Sequence, residues 1–166
     1  MEVEIFQGSI LEVEAEAIVN AANSQGWMGG GVAGVIKRVA GPEVENEAVA
    51  QAPIPIGSAV LTSGGRTKFK GIIHAPTMEQ PAMRIPAENV SKATEAALKL
   101  ADEKGFISIA LPGMGTGVGG VSKDEAARRM VEAIKDTPTR RLKRVILVDI
   151  DQEMVEAWQR VSNARE

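Results

Sequence analysis

The chain has 166 residues, a length suited to one domain, with 44% hydrophobic and 25% charged residues, the balance of an ordinary globular core under a solvated surface. Its formal net charge of −3 offers no electrostatic footprint for nucleic acid or an anionic membrane, so neither is expected as a partner. With no cysteine and a single histidine, disulfides, thiolate catalysis and Cys-based metal sites are excluded, and neither a metal nor a cofactor is expected.

Hydrophobic runs alternate between short strand-like stretches and helical stripes. Val3–Phe6 predicts a first strand, and the acidic alternation at Met1–Ile5 is unlike a secretory signal, which makes the cytoplasm the expected location. Ala17–Asn20 is a short apolar run ending at polar residues. Gly29-Gly30-Gly31 then leads into a helical stripe of Val32, Val35, Ile36 and Val39 that stops at Gly41-Pro42. Beyond it, Glu43, Glu45 and Glu47 are expected on a solvated helix face, and Gln51–Pro55 in a loop. Ala59–Thr62 and Gly71–His74 flank Gly64-Gly65, so they are expected to pair. Pro76–Pro86, with three prolines, is expected to be a loop.

The stripe Val90, Ala93, Ala97, Leu98 and Ala101 predicts a helix ended by Gly105. Ile107–Leu111 follows as a strand. Ser122 and Glu125 form a capping box ahead of Ala127, Met130, Val131 and Ile134. Val145–Val148 is a last strand, and Asp151 an N-cap for a helix with Val155 and Trp158. Strands alternating with helices predict an α/β sandwich, with a largely parallel sheet covered on both faces. No repeat or linker divides residues 1–166, which are expected to form a single domain.

Two segments carry unusual chemistry. Ile18–Asn23 followed by Gly29–Gly34 puts glycines at a helix start, where free N–H groups and the helix dipole favour an anion. Leu111–Gly120 has five glycines in its last eight positions, directly after a strand and before a helix. Such density restricts badly on folding unless left-handed backbone or close approach is needed. No Lys-Ser/Thr pair follows, so it is not a P-loop. Two strand-to-helix glycine loops nearly free of Lys and Arg suit a diphosphate gripped by backbone donors from both sides.

Gly8-Ser9-Ile10, Ala17–Asn23 with Gly29–Ala33, Gly57–Thr62, Ile73-His74-Ala75 and Leu111–Gly120, in that order, closely resemble the signature of macro domains over about residues 3 to 160. The resemblance implies a three-layer αβα sandwich with a mixed, mostly parallel six-stranded sheet, and a cleft for ADP-ribose. It implies Asn23 at the distal ribose, with Asn20 supporting that turn, and both as catalytic residues. Gly30, Gly31 and Val32 would flank the ribose and one phosphate, and Gly115, Thr116, Gly117, Val118 and Gly119 would wrap the diphosphate. Ser9, Ile10, Ile150 and Asp151 would lie at the adenine.

The chain departs from the pattern at several positions. Ser9 stands where many members carry an Asp, Ile150 where an aromatic often stacks on adenine, and Gly119 where some have an aromatic. Ala33 replaces an Asp that some hydrolases of the family carry. The activity implied is hydrolysis of mono-ADP-ribosyl esters, O-acetyl-ADP-ribose or ADP-ribose 1″-phosphate by substrate-assisted water attack. The alternative is a non-catalytic module that reads ADP-ribose. Of the remaining residues, His74 in its apolar strand is expected to be structural, Trp27 either shields a ligand or covers a helix start, and Met28, Met78, Met83 and Met114 are expected as packing, with Met114 near the cleft.

Overall fold

The computed structural model describes residues 1–164. Six strands form one sheet: β1 (Glu2–Gln7), β2 (Ala17–Asn23), β3 (Val60–Thr62), β4 (Gly71–Met78), β5 (Ser108–Leu111) and β6 (Arg144–Asp149), in the order β1-β6-β5-β2-β4-β3. Every neighbouring pair is parallel except β3 with β4. The helices are α1 (Gly31–Ala40), α2 (Pro42–Ala50), α3 (Glu88–Glu103), α4 (Lys123–Asp136) and α5 (Gln152–Ala164), with a 3-10 turn at Ile10–Glu12.

Side-chain alternation along the central strands builds two cores. Val19, Ile73, Ile109, Leu111, Val145 and Leu147 face α3, α4 and α5. Ile18, Ile72, Ala110, Ile146 and Val148 face the opposite layer, where Ile36 and Ala40 of α1 and Val44 of α2 cover them. A sheet buried on both faces reads as near-continuous apolar runs, which is why β5 and β6 are so plain in the sequence. The result is an αβα sandwich with a mixed, mostly parallel sheet.

The local signals hold at several ends. Ser122 Oγ accepts the Glu125 N–H at 3.2 Å, Asp151 Oδ1 accepts the Glu153 N–H at 3.0 Å, and Gly105 at φ +80° closes α3. The capping box is half-formed, because the Glu125 carboxylate turns to Arg128 and Arg129. Ala59–Thr62 and Gly71–His74 do pair, antiparallel, through Val60–Thr62.

Four expectations need correction. The strand expected over Ala17–Asn20 continues to Asn23, and β4 runs on to Met78, taking Pro76 and Thr77 out of the expected loop. Pro76 is tolerated because it sits where the β2–β4 register shifts, between Ala22 and Asn23, so its missing N–H interrupts little. The acidic face of α2 is not merely solvated, since Glu45 and Glu47 are each tied to a loop. Met114 is fully buried among α3–α5, away from solvent and hence from any cleft.

Candidate functional site

All five parallel strands end at one edge of the sheet, so the segments after β1, β2, β4, β5 and β6 gather there. β2 and β5 are neighbours, yet their helices leave to opposite faces, α1 to one and α4 to the other. Such a divergence opens a crevice at the strands' carboxyl ends, the favoured ligand site of open α/β sheets. The two glycine loops form the walls of that crevice. The sheet order therefore brings together two segments about ninety residues apart in the chain.

The first wall is residues 24–30 and the start of α1. Asn23 pins it: its amide nitrogen donates to Trp27 O at 2.9 Å and its Oδ1 accepts the Gln25 N–H at 3.0 Å. An amide has a second hydrogen and further lone pairs, so Asn23 keeps capacity for a ligand. Gly26, at φ +83°, packs so tightly on α2 that a Cβ there would lie 2.8 Å from the Ala48 carbonyl carbon. The Met28 N–H donates to Glu45 Oε2 at 2.6 Å, and Lys37 of α1 holds the same carboxylate at 2.8 Å. Burial works to raise the Glu45 pKa, but Lys37 and the Met28 N–H outweigh it and hold it below the usual carboxylate range. Glu45 thus fixes the backbone just before Gly29-Gly30-Gly31.

No side chain caps α1. Among the described residues, the N–H groups of Gly30, Gly31, Val32 and Ala33 find no acceptor. Four open donors at the positive end of a helix dipole form an anion seat. Gly30 and Gly31 face open space, where an added Cβ would touch nothing.

The second wall is residues 112–121. Gly115, at φ +75°, is wedged against Val90 and Ile85, and a Cβ on Gly119 would lie 2.6 Å from Gly115 O. Val121 N donates to Gly115 O and Gly120 N to Gly117 O, folding the loop on itself. The N–H groups of Thr116, Gly117, Val118 and Gly119 have no acceptor among the described residues. Gly117 faces open space, and Thr116 is half-buried with its hydroxyl free of any bond to the described residues. Each wall also carries one exposed apolar side chain, Trp27 at 52% and Val118 at 63%.

The edge beyond β1 and β6 is tied by Asp149, whose Oδ2 accepts the Gly113 N–H and Oδ1 the Asp151 N–H, both at 3.0 Å. Ser9 Oγ accepts the Leu11 N–H at 3.2 Å, which leaves its hydrogen to donate. Ile10 buries its side chain in the core, so only its backbone faces this end, whereas Ile150 is 76% exposed. Asp151 caps α5 and pairs with Lys123 at 2.7 Å, which lowers its pKa. An open depression of about 390 Å³ lies alongside, lined by Thr116, Lys123, Asp124, Glu153 and Arg160, among others. Its cations are already matched, Lys123 with Asp151 and Glu153, and Arg160 with Asp124.

Asn20 is not at the crevice surface. It is fully buried, facing the α1–α2 layer, with its amide nitrogen 3.1 Å from His74 Nδ1. His74 Nε2 lies 2.9 Å from Thr62 Oγ1, and that hydroxyl also reaches the Ser63 and Ile72 carbonyls. If Thr62 donates to those carbonyls it accepts from His74 Nε2–H, leaving Nδ1 to accept from Asn20. Asn20 and His74 are register partners on β2 and β4, so the chain Asn20–His74–Thr62 stitches three strands beneath the crevice. Burial pushes the His74 pKa down to about 4, only partly countered by Glu47. A neutral, fully bonded imidazole is structural, as expected.

Glu45, Glu47 and Asp149 are the residues that sequence reading missed. Glu47 takes the Ser63 N–H and hydroxyl, and those bonds lower its pKa. A helical acid spaced for a neighbouring loop leaves no mark distinguishable from a solvated one. Among the described residues no His/Cys/Asp/Glu cluster could hold a metal ion, and no helix is long and apolar enough to cross a membrane.

The comparisons agree with this architecture. An uncharacterised protein of Aquifex aeolicus is 62% identical over 99% of this chain and all of its own length, and one of Aeropyrum pernix is 53% identical over 78% and 68%. Among solved structures, the Oceanobacillus iheyensis macrodomain with MES bound is 27% identical, with a TM-score of 0.87 over 98% of this chain and 91% of that one. A mutant of that macrodomain with ADPR is 28% identical, with a TM-score of 0.86 over 98% and 92%. The Trypanosoma brucei macrodomain in complex with ADP-ribose, 24% identical over 97% and 69%, shares the fold at a TM-score of 0.86. The macro domain model matches residues 19–130, from inside β2 through the second glycine loop into α4. With both crevice walls inside that match, the chain belongs to the macro domain family.

Proposed function

We propose that the crevice binds ADP-ribose or a derivative of it, and that the protein hydrolyses such derivatives slowly. The carrying observation is the pair of glycine loops on adjacent parallel strands, each with a row of open N–H groups. Open donors on both sides of one crevice suit a diphosphate, with Gly30, Gly31 and Val32 on one side and Thr116, Gly117, Val118 and Gly119 on the other. In this reading Ser9, the Ile10 backbone, Ile150 and Asp151, after β1 and β6, take the adenine and Asn23, at the end of β2 beside β4, takes the distal ribose, an orientation that the sheet order supports. The Oceanobacillus iheyensis macrodomain with ADPR supports that ligand.

In this reading Asn23 orients the distal ribose and the water, and Asn20 is a positioning residue acting from below through the strand end. The loop donors fix the diphosphate, whose own oxygens then orient the attacking water. Esters on acidic side chains, O-acetyl-ADP-ribose and ADP-ribose 1″-phosphate are the candidate substrates. Ala33 supplies no base, His74 is buried, and the Asp149 and Asp151 carboxylates are engaged, so chemistry depends on positioning.

That lack of a free acid–base pair also favours the second reading, a module that binds ADP-ribose without turnover. Calorimetry with ADP-ribose, run beside mass spectrometry of a peptide carrying ADP-ribosyl-glutamate, separates the two. Heat with release of ADP-ribose is the expected result. Heat alone leaves the binding module, and no heat removes both readings.

A further inference from the structure

The sheet has two outer edges, and they are not alike. β3 ends one of them with only 3 residues, whereas β1 runs for 6 residues in unbroken register beside β6. β1 carries none of the devices that commonly blunt an edge: no proline, no lysine and no bulge. The Glu2 and Gly8 N–H groups donate to Lys143 O and Asp149 O, on the β6 side. Alternation then turns the main-chain groups of Val3, Ile5 and Gln7 outward, and among the described residues their N–H groups find no acceptor. Met1, Val3 and Phe6 are exposed along this edge, and a groove of about 530 Å³ runs beside it, lined by Met1, Val3, Val131 and Ile134 among others.

The residue pattern of β1 selects what can add there. When a strand pairs antiparallel with its own copy, the residue on the two-fold axis sets the register. A centre at Glu4 sets Glu4 against the partner's Glu4, and a centre at Val3 sets Glu2 against the partner's Glu4. Like charges directly opposite one another are destabilising. A centre at Ile5 avoids both. It sets Glu2 opposite the partner's Gly8, and Glu4, already paired with Arg144, opposite the partner's Phe6. It also joins Val3 to the partner's Gln7 and Ile5 to the partner's Ile5 through the outward groups, which makes about six main-chain hydrogen bonds.

We propose that β1 is the contact through which two copies of this chain associate, joining their sheets into one across a two-fold axis at Ile5. The copies run antiparallel, so their crevices open at opposite ends of the joined sheet and ligand binding does not need the pairing.

The test is sedimentation equilibrium of the full chain from low to high micromolar concentration, with hydrogen exchange followed by NMR. The expected result is a reversible dimer in which the Val3, Ile5 and Gln7 amides exchange slowly, like those of Glu4 and Phe6. Val3→Pro removes an outward N–H and spares the β6 ladder, since proline is tolerated on an edge strand where its nitrogen faces away. It should weaken the dimer at least about tenfold, because two symmetry-related hydrogen bonds go, and change ADP-ribose affinity by less than about twofold. In that variant the Ile5 and Gln7 amides should become fast while those of Glu4 and Phe6 stay protected, which also reports that β1 remains paired with β6. Val3→Lys, which places a charge on the edge and leaves the backbone untouched, should dissociate the dimer as well and serves if the proline variant fails to fold. A native chain that is monomeric throughout, a dimer that survives both substitutions, or a dimer in which the Val3, Ile5 and Gln7 amides exchange fast overturns the proposal.

Discussion

Asn23 and His74 sit on neighbouring strands, but they do different work because one reaches a loop and the other does not. Asn23 holds Trp27 O and the Gln25 N–H while keeping capacity for a ligand. Asn23→Ala should weaken ADP-ribose binding at least about tenfold, as loss of a charged-ligand or loop-fixing hydrogen bond does, and lower stability by only about 1 kcal/mol. His74→Ala should do the reverse. It leaves the Asn20 amide partnerless in a sealed space and takes one bond from Thr62, lowering stability by about 2–3 kcal/mol while the folded fraction binds nearly as before. Denaturant titration and calorimetry on both variants check the contrast, and equal binding losses would contradict it.

The imidazole also predicts a pH dependence. Its folded pKa is depressed to about 4 from the usual 6.5, so between those values the unfolded chain takes up a proton that the folded protein refuses. Stability should then fall as pH drops from 6.5 toward 4, with a slope on the order of 1 kcal/mol per pH unit near pH 5.5. His74→Gln should flatten that slope. Urea melts at pH 5 and 6.5 measure it.

At the scale of elements, the two loops are held by different means, and each has its own weak point. The first depends on α2: Gly26 lies on its backbone and Glu45 takes the Met28 N–H. Glu45→Ala should loosen the glycine run and weaken ADP-ribose by roughly tenfold, since positioned donors lose value quickly when displaced. The second loop is folded on itself, so two of its glycines should respond oppositely. Gly119→Ala meets Gly115 O and must distort the loop, destabilising the protein as well as binding. Gly117→Ala meets nothing, so it should fold normally and weaken binding by filling ligand space. A thermal scan paired with calorimetry distinguishes the two; a Gly117→Ala protein that binds at full strength would argue against a ligand beside that glycine.

For the molecule as a whole, a ligand bridging both walls joins parts of the chain that otherwise meet only through the sheet. It binds the folded state alone, so at one hundred times its Kd it adds about 2.7 kcal/mol of stability. For a chain of this size that corresponds to a rise in Tm of roughly 5–10 °C, measurable by scanning calorimetry. No rise at saturation would contradict a site built from both loops.

The sequence by itself determined the layers and the chemistry of the walls. Apolar runs at β5 and β6, the helical stripes of α1, α3 and α4, and the glycine runs at Gly29–Gly31 and Gly113–Gly120 are local signals, set by periodicity and by backbone freedom. The cap residues Ser122 and Asp151 were legible for the same reason. Only the tertiary structure decided which edges meet. It placed β5 beside β2, so that the loops follow neighbouring strands, and it carried Glu45 and Asp149 to loops remote from them in the chain. It also buried Asn20 under the site, because β2 continues three residues past the expected strand end and puts Asn20 inside the sheet rather than at its edge. Local propensity acts within a few residues, whereas sheet order and charge placement follow from packing distant segments together, and no short window of sequence contains that information.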